Sequence, residues 1–173
     1  MKKTIITVAI AILVSSILIA ESIKIAYIDT ERVMAESRDT QEAQNVFQTE
    51  QESWKNEIAE LDTEIERLYS EYETKKMILT ETGKQEAEDK INELSAQRET
   101  LVQEIYGESG KAMQRNAELL EPILTKLKNV IEKVSVENNY TIVLDASAGG
   151  ILYAKPSLDI TDTIIDELDE AVE

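Results

Sequence analysis

The feature that most constrains the fold is an apolar repeat in two consecutive stretches of the chain. In the first stretch the apolar residues follow steps of four and three, the spacing of a coiled-coil seam: Trp54, Ile58, Leu61, Ile65, Leu68 and Tyr72. The second stretch repeats these steps, with one Arg among the apolar residues: Ala87, Ile91, Leu94, Arg98, Leu101 and Ile105. Because the turn signal Thr80–Gly83 (TETG) separates them, the sequence predicts two long helices paired in an antiparallel hairpin.

A reversal at residues 82–83 would bring the two seams into register. Paired positions would then sum to about 166, so that Tyr72 meets Leu94 and Ile65 meets Leu101. We assign residues 41–119 to this helical hairpin, with its tip near 80–84. At a rise of 1.5 Å per residue, the arm from Gln41 to Leu79 reaches about 58 Å.

Two glycines are predicted to lie inside the helix of the returning arm, in the sequence YGESGKA at 106–112. This sequence is not a phosphate-binding loop, because Ile105 and Ala112 stand where such a loop has Gly and Ser or Thr. Two interpretations stay open. Gly107 allows close contact with Ala59 on the other arm, or Gly107 and Gly110 form a hinge about halfway along the arm.

Short β-type segments lie on both sides of the hairpin. IKIAYID at 23–29 predicts one strand, and NNYTIVLDASAGGILYA at 138–154 predicts a β-hairpin that turns around Gly149 and Gly150. A helix with a kink or restart at Pro122 precedes the second segment, and a short amphipathic helix covers Asp159 to Val172. The fold class is therefore α+β, with a β body formed by 23–40 and 120–173.

So few β residues cannot form a good core alone, because small open sheets are marginal and expose their edges. We therefore predict that several copies of the chain close their sheets into a shared small β-barrel. The residues expected in this oligomer core are Ile25, Ile142, Leu144 and Leu152.

Composition excludes several classes of function. The 35 acidic residues against 18 basic ones give a net charge of −17, which argues against nucleic acid as a partner because phosphate binding uses clustered Lys and Arg. The chain has no Cys and no His, so the commonest general base and metal ligand are missing. Asp159, Asp162 and Asp166 lie at a helix start, where acids are favoured anyway. We predict no catalytic residue, no metal site, no cofactor and no enzymatic activity.

The N-terminus is typical of a secretory signal peptide. Lys2 and Lys3 precede an apolar run from Ile5 to Ala20, which is shorter than the roughly 20 residues of a comfortable membrane span. We predict that residues 1–22 are the signal peptide, with cleavage after Ala20 or Ser22. The alternative is an uncleaved anchor.

The order of these segments resembles the OmpH/Skp family of periplasmic chaperones over essentially the whole mature chain. The most specific parts are PILTKLKNVIEKV running into the strand 140–145, and ILYA followed by DIT. The resemblance implies a homotrimer with a shared β-barrel and three helical tentacles around a cavity. It also implies an ATP-independent holdase in the periplasm that binds unfolded outer-membrane proteins.

The charge departs from that of the best-known family member, which is strongly basic. The tip segment 73–90 holds four Lys against five acids, a net charge of −1, and the rest of the mature chain is very acidic. This charge argues against binding to lipopolysaccharide or anionic membrane surfaces.

A holdase needs many weak apolar contacts, so we assign client binding to apolar residues outside the seam. They are Tyr69, Met77, Ile78, Val102, Tyr106 and Met113. The alternatives are that these side chains are scattered surface residues or widen the seam, and that the protein is an envelope spacer or adaptor without client activity.

Overall fold

The computed structural model describes residues 23–171, so the predicted signal peptide and the last two residues lie outside the described part. The chain runs in the order β1 (Ile25–Ile28), α1 (Thr30–Glu36), α2 (Arg38–Lys75), α3 (Glu81–Tyr106), α4 (Lys111–Glu137), β2 (Ile142–Asp145), a short 3-10 helix (Pro156–Leu158) and α5 (Thr161–Glu170). Within residues 23–171, none of the helices combines the length and apolarity that a membrane span requires. The described part of the chain is mostly helical, with one small pair of strands.

Helices α2 and α3 form the long antiparallel hairpin. Helix α2 alone has 38 residues, which corresponds to about 57 Å. The residues of both predicted seams are half-buried or buried, whereas their neighbours on the helices are mostly exposed. Leu94 and Ile105 are the most deeply buried of them. The two arms therefore pack along the apolar repeat that the sequence displays.

The reversal between the arms lies at residues 76–80, before the predicted tip near 80–84. The side chain of Thr80 accepts a hydrogen bond from Gly83 N at 3.1 Å, so Thr80 is the N-cap of α3 and Gly83 lies in the first helical turn. The motif TETG therefore begins a helix rather than reversing the chain. As a result the predicted pairing of Tyr72 with Leu94 is wrong, because the Tyr72 hydroxyl donates to Glu88.

The core of the body is closed on one face of the two-stranded sheet. Ala26 and Ile28 of β1 pack against α1, α4 and α5 in one cluster, in which Ile164 and Leu168 of α5 are fully buried. Helix α4 passes through Pro122 without ending, so of the two predicted alternatives the restart is wrong and the kink stays a prediction. Contacts to α2 on both sides of Pro122 hold this helix in place, namely Arg115 with Glu50 and Lys126 with Asp39.

The predicted β-hairpin around Gly149 and Gly150 is wrong. Strand β2 pairs with β1, in parallel, and ILYA at 151–154 is not a strand in the described chain. After β2 the chain crosses to the other edge of β1, where Tyr27 and Asp159 form a parallel bridge. The physical reason is burial, because this path brings Ile160 into the core with 7% of its surface exposed.

Candidate functional site

Most of the six predicted client-binding residues are exposed on the hairpin and the helix that continues it. Met77 and Ile78 form the reversal and are 88% and 84% exposed, the two most exposed large apolar side chains on the hairpin. Tyr69, Tyr106 and Met113 are also exposed. Only Val102 is half-buried, so part of its surface belongs to the packing between the arms.

The structure brings these six residues together only in pairs. Met77 and Ile78 are adjacent at the reversal, and Val102 and Tyr106 lie one helical turn apart on α3. Tyr69 lies on α2, before the reversal, and Met113 lies on α4. The exposed apolar surface is therefore a series of small separate patches, with the most exposed patch at the tip.

The returning arm is interrupted at residues 107–110, so the two glycines do not lie inside a helix as the sequence suggested. Gly107 ends α3 and Gly110 begins α4, while Ser109 between them has a φ of 63°. A Cβ on Gly107 would lie 2.3 Å from Gln103 O, and one on Gly110 would lie 2.6 Å from Ile105 O. The close contact that requires glycine is therefore with the arm's own backbone, and the atoms nearest Gly107 are not those of Ala59.

This interruption changes the register between the arms. Toward the tip, the cross-helix pairs Tyr72 with Glu88 and Asp62 with Arg98 have residue numbers that add to 160. Toward the body, the pairs Glu50 with Arg115 and Asp39 with Lys126 have numbers that add to 165. Because α2 is continuous, the returning arm accommodates five extra residues between Arg98 and Arg115, the stretch that contains the interruption at 107–110. Whether this segment acts as a hinge stays a prediction.

Ion pairs and hydrogen bonds fasten the arms to each other at intervals. Arg115 Nε lies 2.9 Å from a Glu50 oxygen, and Arg98 Nε lies 2.7 Å from Asp62. Near the tip, the hydrogen bond to Glu88 and then burial raise the pKa of Tyr72 to about 12. The Tyr72 hydroxyl therefore keeps its proton, and with it this cross-helix bond, throughout the physiological pH range.

The second exposed apolar surface is the open face of the sheet. In the parallel register Ile25 lies beside Ile142 and Tyr27 lies beside Leu144. Ile25, Ile142 and Leu144 are 40%, 45% and 44% exposed, respectively. Three of the four predicted oligomer-core residues therefore share one face, whereas Leu152 lies outside the strands and is 99% exposed.

Sequence reasoning did not assign three further exposed apolar residues in the segments before β1 and after β2. They are Ile23, Tyr153 and Leu158. Ile23 precedes β1 in the same alternation as Ile25, so the period of two was a signal for Ile23. Tyr153 lies next to Leu152, so the apolar run ILYA was a signal for Tyr153. Leu158 gave no such signal, because it precedes α5 in a segment without a clear period.

Comparison with known proteins gives consistent matches. The family model described as "Outer membrane protein (OmpH-like)" matches residues 24–168. Chaperone protein Skp of Yersinia enterocolitica is 24% identical over 172 residues, covering 97% of this chain and 99% of the relative. An uncharacterized protein of Aquifex aeolicus (strain VF5) is 27% identical over 152 residues, covering 88% and 90%.

A solved structure has the same fold. The crystal structure of an OmpH-like protein from Caulobacter crescentus CB15 has a TM-score of 0.77 to this chain at 16% identity, and the match covers 86% of this chain and 85% of that one. At this identity the likeness concerns the fold. Together with the family match across nearly all described residues, the comparisons establish that this chain belongs to the OmpH-like outer membrane protein family.

Proposed function

We propose that this chain is an ATP-independent holdase chaperone of the periplasm, which binds unfolded outer-membrane proteins and prevents their aggregation. The observation that carries this proposal is the set of separate, exposed apolar patches on a polar hairpin, most of all Met77 and Ile78 at the tip. Membership in a family that includes the chaperone Skp supports it. The predicted signal peptide at 1–22 is consistent with a periplasmic location.

Separate small patches suit a holdase because each contact is weak. Full burial of one large apolar side chain contributes about 1.5–3 kcal/mol, and a mobile client covers each patch only in part. Several such contacts hold an unfolded chain reversibly, and Met77 adapts its shape to different partners. The client is thereby kept from other clients without being trapped.

Association of three copies completes the proposal. The open face with Ile25, Ile142 and Leu144 belongs to a sheet of only two strands, which is marginal alone. A trimer with a shared β-barrel would cover this face and would place three hairpins, residues 41–119, around a common cavity. The bodies, 23–40 and 120–173, would then form the rigid end of the assembly.

The direct test dilutes a urea-unfolded outer-membrane protein into buffer with the mature chain and follows light scattering. The variant Tyr69→Ser, Met77→Ser and Ile78→Ser should suppress aggregation several-fold less well than the natural protein. Its stability should stay within about 0.5 kcal/mol, because all three side chains are exposed. The matched control, Leu124→Ser and Val136→Ser, changes exposed apolar residues outside the hairpin and should suppress aggregation normally.

Two outcomes would contradict the proposal. If the natural protein leaves the client to aggregate, it is not a holdase, and an envelope spacer or adaptor becomes the better interpretation. If the triple variant suppresses aggregation as well as the natural protein, the tip does not bind the client.

A further inference from the structure

The hairpin uses nearly all its cations internally. Residues 41–119 contain nine Lys and Arg residues, and all except Lys55 lie within 4.0 Å of a carboxylate oxygen in the described structure. Some of these pairs join neighbouring turns of one helix, as Lys76 does with Glu73, and others join the two arms. Few positive charges of the hairpin are therefore available to a bound chain.

Many carboxylates of the same hairpin have no such cation. Ten exposed acids at 41–119 form no ion pair in the described structure: Glu42, Glu52, Glu57, Glu60, Glu66, Glu86, Glu88, Asp89, Glu99 and Glu108. They extend from the body end of the hairpin to its tip. The hairpin surface thus presents uncompensated negative charge along its whole length.

The uncompensated acids lie close to the exposed apolar patches. Glu66 lies one helical turn before Tyr69 on α2, and Glu99 lies one turn before Val102 on α3. Residues three apart on a helix are surface neighbours. A chain that covers either patch therefore comes within a few ångströms of a carboxylate without a cationic partner.

We propose that the hairpins select unfolded polypeptides of net positive charge, in which Lys or Arg residues stand close to apolar ones. This inference rests on the proposed holdase function and names the class of client. A Lys or Arg side chain beside an apolar residue would neutralise Glu66 or Glu99 while the apolar residue covers Tyr69 or Val102. An acidic client would bring like charges together at the same places, which lowers its affinity and its association rate.

The test measures binding of three unstructured peptides to the mature chain by fluorescence anisotropy. The peptides share the same apolar residues, and all their remaining charged positions are Lys in the first, Gln in the second and Glu in the third. We expect the Lys peptide to bind at least about tenfold more tightly than the Gln peptide in about 0.05 M NaCl, and the Glu peptide to bind more weakly than both. This difference should largely vanish in about 0.5 M NaCl, because the Debye length falls to a few ångströms.

Charge variants locate the effect. Replacement of Glu66, Glu99 and Glu108 by Gln should reduce the preference for the Lys peptide several-fold. The matched control replaces Glu132, Glu137 and Glu170 by Gln, three exposed acids outside the hairpin that form no ion pair in the described structure. The control removes the same charge and should leave the preference almost unchanged.

Each outcome decides one of the two proposals. Binding of none of the peptides would contradict the holdase proposal itself. Equal binding of the Lys and Gln peptides, with aggregation still suppressed, would refute charge selection and leave the holdase proposal intact. A fourth peptide, with the same Lys residues but no apolar ones, should bind more weakly than the Lys peptide; equal binding would also refute charge selection, because the attraction would then be that of a simple polyanion. If the control variant at Glu132, Glu137 and Glu170 loses as much of the preference for the Lys peptide, the preference depends on the net charge of the protein and not on the hairpin.

Discussion

The interruption at 107–110 allows a sharp test of the hairpin structure through the substitution Gly110→Ala. A Cβ at this position would lie 2.6 Å from Ile105 O and 2.8 Å from Ile105 C, both backbone atoms. Ordinary contacts begin near 3.4 Å, so the backbone would have to move by about 0.8 Å. The φ of −68° and ψ of 169° suit any residue, so the cost comes from crowding and not from the backbone conformation.

The magnitude has two parts. Overpacking against a rigid neighbour costs about 1–3 kcal/mol. Gly110 is also the N-cap of α4, where Ala is poorer than Gly by roughly 0.5–1 kcal/mol. We therefore expect Gly110→Ala to lower the free energy of unfolding by about 1.5–4 kcal/mol.

Gly83→Ala is the matched control for this substitution. Gly83 lies in the first turn of α3, and its nearest neighbours are the side chains of Thr80 at 3.3 Å and Leu79 at 3.4 Å, which can move. Because Ala is favoured over Gly within a helix by up to about 1 kcal/mol, this variant should be neutral or slightly more stable. Urea unfolding followed by circular dichroism at one fixed chain concentration compares the two, since the proposed association would also contribute to stability. If Gly110→Ala stabilises the protein as Gly83→Ala does, α3 and α4 are one continuous helix and the register change is wrong.

Two further predictions concern the body. Leu144→Asp places a charge on the open face of the sheet and should prevent association of the chain, as measured by sedimentation equilibrium. The control Met77→Asp, at the tip, should leave association intact. A natural protein that is itself monomeric would contradict the shared barrel. Burial raises the pKa of Asp159, but hydrogen bonds from Thr161 and Tyr27 together with the charge of Arg32 outweigh it and hold this pKa below its usual value. A lowered pKa means that the ionised carboxylate stabilises the fold at neutral pH and loses this effect as the pH falls below about 3.9. Asp159→Asn should therefore be less stable than the natural protein in urea at neutral pH, and this difference should shrink as the pH falls below about 3.9; an unchanged difference would contradict the assignment.

The helical hairpin could be predicted because its signal is local and repeated. Each seam position, from Trp54 to Ile105, follows from the spacing of its neighbours, and the arms pack along these positions. The reversal was misplaced because an N-cap and a turn use the same residue types. Thr80 and Gly83 cap α3, while the reversal at 76–80 contains neither Gly nor Pro.

The path of the chain after β2 could not be predicted, because its partners are distant in sequence. Asp145 accepts hydrogen bonds from Thr30 N and Oγ1, 115 residues away, and from Ser147. These bonds fix the segment after β2 beside α1, and Ile160 then enters the core at the other edge of β1. The sequence showed only an apolar run interrupted by two glycines, which equally favours a hairpin.

Two of the exposed apolar surfaces in the described chain, the open face of the sheet and the tip of the hairpin, suit different kinds of partner. Ile25, Ile142 and Leu144 form one flat face on rigid strands, which suits a fixed partner of matching shape such as another copy of the chain. Met77 and Ile78 stand at a reversal with most of their surface in solvent, which suits many partners in turn. We therefore expect association and client binding to be separable by mutation.

The separation can be measured with the variants already described. The variant with Tyr69, Met77 and Ile78 replaced by Ser should associate as the natural protein does and bind a client less tightly. The Leu144→Asp variant should dissociate into single chains that each keep an intact tip. The affinity of these chains for a long unfolded client should fall by at least about tenfold, because linked sites bind one client far more tightly than single sites do. A short peptide that reaches only one hairpin should bind both forms equally. If the dissociated chain holds the long client as tightly as the natural protein, the hairpins act independently, and a cavity between them is not needed for function.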